Sequence, residues 1–157
     1  LRSKFPELTD PDTFRSNSCT TQSLFLNLAA KGKADLSDES FERYLKWGLK
    51  NGAISKYGGF LDADKIANEY GATYKRTTKE NGGWDRYKEL QQQQGAIFVV
   101  RAGNSSTDAH SSLSYVEKPG HDKAIDTGWS GNRGVDQSQK PSYPVTSKSF
   151  IRVEEVQ

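Results

Sequence analysis

The chain is poor in several residue types, and each scarcity removes a class of protein. Its 157 residues include one cysteine, so an intrachain disulfide and any multi-thiolate zinc or iron–sulfur centre are excluded. There is no methionine and the sequence starts at Leu1, as expected where an initiator, leader or signal peptide has been removed. Only two histidines are present, His110 and His121, which leaves few candidates for an imidazole base or metal ligand. Lys and Arg number 22 against 20 acidic residues, giving a formal charge of +2 and no electrostatic case for a nucleic-acid partner. No apolar run approaches the roughly 20 residues needed to cross a bilayer. What remains is a polar chain, 33% hydrophobic, of a length that suits one domain spanning residues 1–157.

The apolar residues that are present change period midway. Over 19–31, Leu24, Phe25, Leu28 and Ala29 recur at helical spacing, with Asn17 and Ser18 as candidate N-caps and Gly32 as the stop. A second helix is expected over 38–50, capped by Ser37 and striped by Phe41, Tyr44, Leu45 and Leu49. A third is expected over 62–70, from Asp62 to the stop at Gly71, and a fourth over 84–94 with Tyr87 and Leu90 inward. The glutamine run 91–94 is equally compatible with a loop. From Ala96 the pattern becomes strand-like: 96–101 (AIFVVR) is a short buried run, and His110–Glu117 and Phe150–Val156 alternate. A short strand is expected over 123–127 after the Pro119-Gly120 turn, and a long surface loop over 128–149. Helices followed by an antiparallel meander make an α+β fold.

Cys19 falls at the start of the most apolar helix, where unpaired amide N–H groups and the helix dipole favour thiolate, the nucleophilic form. His110 opens a strand after the flexible 103–106 segment and is the candidate base; His121 sits in a turn. Asp126 lies on the next strand, within reach of His110 if the two strands form a hairpin. There it would orient the imidazole as the third member of a nucleophile–base–orienter set. Asp122 is the competing orienter. An inert packed thiol is the alternative for Cys19.

In that order these residues resemble the papain-like cysteine peptidase superfamily, in the compact bacterial form of bacteriocin-processing peptidases and cell-wall amidases. The similarity rests on Asn17-Ser18-Cys19 opening a helix that runs to Leu26-Asn27, on AIFVV followed by HSSLSYVE at His110, on Asp126, and on the closing SFIRVEEV. The N-S-C…S…LN segment also resembles the nucleophile helix of type VI secretion amidase effectors. The resemblance implies a helical lobe bearing Cys19, packed on an antiparallel sheet bearing His110 and Asp126. It implies a thiol hydrolase of amide bonds in a peptide or in peptidoglycan, working without metal or cofactor. A secreted or periplasm-directed protein is expected, with room for a protein inhibitor or immunity partner. The chain departs from the pattern at one point: no glutamine precedes Cys19, and Thr13 stands where an oxyanion-hole glutamine is usual. The Cys19 N–H, Asn17 or Gln22 would have to supply the donors, each worth on the order of 10²–10³ in rate. A catalytically inactive binding or effector module on the same scaffold is the second reading.

The other motifs are weak. Asn104-Ser105-Ser106 matches a glycosylation acceptor, significant only in a eukaryotic secreted protein. Asp62 and Asp64 resemble the start of a calcium loop, but Ile66 stands at the third ligand and the glycine is missing. Tyr57 and Trp84 suit either a ligand groove or the core, and core packing is the better expectation. Lys75, Arg76 and Lys79 read as a solvated basic face. No GxxxxGK or GxGxxG occurs, which leaves Gly58-Gly59 and Gly82-Gly83 as turns. Substrate choice is expected to lie in the 52–60 and 128–149 loops.

Overall fold

A computed structural model of the chain describes residues 5–125 and 149–157. The order is α1 (Pro11–Asn17), α2 (Cys19–Ala30), α3 (Asp38–Lys50), α4 (Ala63–Glu69), β1 (Tyr74–Thr77), α5 (Gly83–Gln91), β2 (Ile97–Gly103), β3 (Ala109–Lys118), β4 (His121–Ile125) and β5 (Phe150–Val156). A 3₁₀ turn at Lys79–Asn81 precedes α5. Among the described residues the fold is α+β, with one five-stranded antiparallel sheet in the order β1-β5-β2-β3-β4.

Helix limits follow local chemistry. Ser37 Oγ accepts from the Ser40 N–H, so the expected cap of α3 forms, and Asp62 Oδ1 caps α4 by accepting from the Lys65 N–H. The expected side-chain cap of α2 from Asn17 or Ser18 does not form. Helix α1 was not expected: it is short and buries only Phe14, although Asp10 caps it and Pro11 occupies its first turn. Helix α5 ends at Gln91, so most of the glutamine run lies beyond it. The expected meander holds for β2-β3-β4, but β5 returns beside β2 and pairs on its other edge with β1. Strand β1, the polar tetrapeptide YKRT, carries no apolar alternation to announce it. Strand β4 begins at His121 rather than Lys123, because the turn tightens onto Gly120 at φ +82°. Residues 126 and 127, with most of the expected 128–149 loop, lie outside the described residues.

Two cores flank the sheet. One joins the α1–α4 lobe: Leu24, Phe25 and Leu28 of α2 pack with Tyr44, Leu45, Ile66 and Phe14. Helix α2 also buries Thr20, Thr21, Gln22, Ser23 and Asn27, so it is enclosed on most sides and not merely amphipathic. The other lies under α5, where Tyr87 and Leu90 meet Phe98, Val100, Ala102, Val116, Ile151 and Val153. Trp84 stacks on Tyr87 at the margin of this core, while Tyr57 stands exposed.

Candidate functional site

Helix α1 ends and α2 begins on either side of one residue, Ser18, whose φ/ψ of −98°/11° breaks the helical run. Its hydroxyl does not cap α2. It donates to the Arg15 carbonyl (3.0 Å) and accepts from Gln22 Nε2 (2.6 Å). Gly58 braces this junction from outside. At φ +108° it lies so close that a Cβ would sit 2.5 Å from the Phe14 carbonyl oxygen, and its own carbonyl accepts from Thr21 Oγ1 (2.6 Å). Tyr44 Oη of α3 donates to the Thr21 carbonyl (2.6 Å), tying the first turn of α2 to the rest of the lobe.

Cys19, the first residue of α2, is partly buried and faces the start of β3. Burial opposes ionisation of its thiol. That effect is outweighed by a hydrogen bond from the His110 side chain, the Ser111 backbone N–H, and the positive charges of His110 and Arg101, so its pKa falls from 9.0 to about 6. Thr20 Oγ1 and Ser111 Oγ share a 2.6 Å hydrogen bond that joins the next residues of the same two elements. Arg101 of β2 completes the cluster. Its Nη1 lies 3.5 Å from Cys19 Sγ and 3.5 Å from Ser111 Oγ, and its Nη2 donates to the Ser106 carbonyl at 3.3 Å.

The remaining sequence candidates fall in different places. Asp126 lies outside the described residues. Asp122 is not in the turn where it was expected: it sits on β4 opposite Val116, several residues along β3 from His110. Its carboxylate accepts from Tyr87 Oη (2.8 and 2.9 Å), Gln91 Nε2 (2.8 Å) and Ser114 Oγ, which anchors α5 to the β3–β4 hairpin. Gln22 is buried, with its amide N–H engaged by Ser18 inside the helix. Asn17 is exposed, ends α1 and lines the cavity beside Cys19. Arg101 was not anticipated. The signal was a cation closing an otherwise apolar strand run, since a charge so placed needs a partner.

A cavity of about 650 Å³ is bounded by Asn17 and Thr20, by residues 59–64, by Ser106, and by the sheet residues Tyr74, Arg76, Arg101 and Arg152. Cys19 does not line it, and Arg101, 3.5 Å from the sulfur, links the two. Among the described residues no cluster of His, Cys, Asp and Glu could hold a metal ion, and no helix is long and apolar enough to cross a membrane. Comparison with protein-family models, curated proteins and solved structures finds no significant match to this chain.

Proposed function

We propose that the protein is a papain-like thiol hydrolase of amide bonds, with Cys19 as nucleophile and His110 as the proton-transfer group. The observation that carries this reading is the side-chain hydrogen bond between Cys19 at the start of α2 and His110 on β3, which holds the thiol pKa near 6. At neutral pH the thiol then stands largely as thiolate, the nucleophilic form.

The sulfur adds to the carbonyl carbon of the amide. The oxyanion that forms is met by N–H groups in the first turn of α2, which have no intrahelical acceptor, with Asn17 on the cavity side. His110 gives its proton to the departing amine as the C–N bond breaks, leaving a thioester. It then takes a proton from water, whose oxygen attacks the thioester carbon. The carboxylic acid leaves and the thiolate and imidazolium are restored. Asp126 is the proposed orienter of His110. Arg101 stabilises the thiolate and is a positioning residue for the nucleophile.

The direct experiment incubates wild type and Cys19→Ala with purified peptidoglycan and with a denatured protein, and reads new amines by mass spectrometry. Wild type should release amines from one of the two, and Cys19→Ala from neither. Equal products from both proteins, or none from wild type while Cys19 remains rapidly alkylated, would replace the hydrolase with a non-catalytic binding or effector module.

A further inference from the structure

The wall of the cavity beside Cys19 carries more positive charge than the fold needs. Arg101 and Arg152 are direct cross-strand partners on β2 and β5, an arrangement of like charges that sheets disfavour. Buried Glu154, two residues from Arg152 on the same face, is the carboxylate the wall itself supplies. It is already engaged by Arg76 through Nε (2.9 Å) and Nη2 (2.7 Å) and by Tyr74 Oη (2.6 Å). Arg152 Nε lies 3.3 Å from the same Oε1, but off the angle of a hydrogen bond. Among the described residues it has no hydrogen-bond acceptor although the atom is buried. Burial pushes the Arg152 pKa down, the sign of a cation held with too little compensation. A guanidinium left in this state lines an open cavity large enough for a side chain and its flanking backbone.

We infer that this cavity is an acidic-residue subsite, in which Arg152 with Arg101 beside it binds the carboxylate of a residue flanking the bond presented to Cys19. The inference rests on the hydrolase reading for the role of that bond, though not for binding at the wall. A carboxylate there would accept from the Arg152 guanidinium, whose one ion pair is to the shared Glu154, and separate the two opposed guanidiniums. Asp62 and Asp64, both exposed, also line the cavity. They oppose an extended polyanion such as a nucleic acid, so the site suits one carboxylate at the sheet wall. The ligand class is therefore a peptide with a single Glu-like or Asp-like side chain or a free α-carboxylate next to the amide.

The test is an isosteric pair of affinity labels, iodoacetyl-glutamic acid α-amide and iodoacetyl-glutamine α-amide, which differ in one carboxylate. The Cys19 thiolate displaces iodide from each, forming one C–S bond as the C–I bond breaks. The ratio of the two rates therefore cancels the reactivity of the thiol. Wild type should prefer the acidic label by about tenfold, the effect of one charge-assisted hydrogen-bonded pair. Arg152→Gln should abolish the preference, and Arg152→Lys, which keeps the charge and guards against a folding defect, should retain part of it. A ratio equal in wild type and Arg152→Gln, or a thiol that neither label reaches, overturns the subsite. A preference that survives Arg152→Gln and vanishes only in Arg101→Gln overturns its assignment to Arg152. If the preference holds while no amide substrate is cleaved, the hydrolase reading fails and the subsite stands.

Discussion

The two faces of the sheet are made from alternate residues of the same strands, yet they differ in almost every physical respect. Toward α5, β2 and β5 present Phe98, Val100, Ala102, Ile151 and Val153, with Val116 from β3, in a core that is buried and apolar. On the opposite face the intervening positions of β2 and β5 are Val99, Arg101, Arg152 and Glu154, joined by Ser111 and by Arg76 of β1. Burying those charges costs free energy that hydrophobic side chains of similar size would not. Both faces pack against a core, but the face toward the α1–α4 lobe combines buried Val99 and Val156 with a cluster of charges beside a thiol, whereas the α5 core is apolar. On β2 and β5 a period of two separates packed positions from charged ones, whereas His110, opposite Ala102 in register, departs from it and meets Cys19 from the start of β3.

The sharpest way to break this comparison is to remove chemistry without touching the core. His110→Ala should reduce amide hydrolysis by about 10³-fold or more, as loss of the base does in nucleophile–base pairs. It should also raise the thiol pKa from about 6 toward the ordinary 9.0. The direction follows from what is lost, a hydrogen bond and a positive charge that both favour thiolate, against burial that favours the neutral thiol. Iodoacetamide labelling reads this directly. In wild type the rate should fall as pH drops through about 6; in His110→Ala the fall should begin at higher pH. An unchanged midpoint would detach His110 from the thiol.

The reciprocal change removes core without touching chemistry. Phe98→Ala empties a fully buried site between Tyr87 and the strands and should cost about 3–5 kcal/mol of stability. Denaturant unfolding should show the loss, while the labelling midpoint of Cys19 in the folded protein stays near 6. A shifted midpoint would show that the two faces are coupled through the backbone.

Much of this division can be read before any coordinates are known, and the parts that cannot be read share a cause. Helices α2, α3 and α4 and strands β2, β3 and β5 carry enough apolar residues at a fixed period to be recognised. Helix α1 buries one side chain and β1 none, so their place is set by what packs on them: Gly58 against the α1–α2 junction, and Glu154 opposite Arg76. Cys19 and His110 are legible because helix starts and strand starts are local features. Arg101 and Arg152 were visible as charges in expected strands. Their meeting depends on β5 pairing beside β2, a long-range register that periodicity does not encode.

The smallest expected effect bears on Asp122, the carboxylate nearest to Asp126 in sequence. Its oxygens accept from Tyr87, Gln91 and Ser114, so Asp122→Asn replaces charge-assisted hydrogen bonds with neutral ones and leaves donors crowding an amide. A loss of about 1–2 kcal/mol in stability is expected, read by denaturant unfolding. Because this cluster pins α5 to the β3–β4 hairpin, away from the start of β3, the cost should fall on the α5 side alone. The labelling midpoint of Cys19 should remain near 6 and hydrolysis should be retained. If Asp122→Asn instead moved the midpoint or removed activity while Asp126→Asn did neither, Asp122 would be the group that orients His110, and the hairpin would transmit the chemistry as well as the packing.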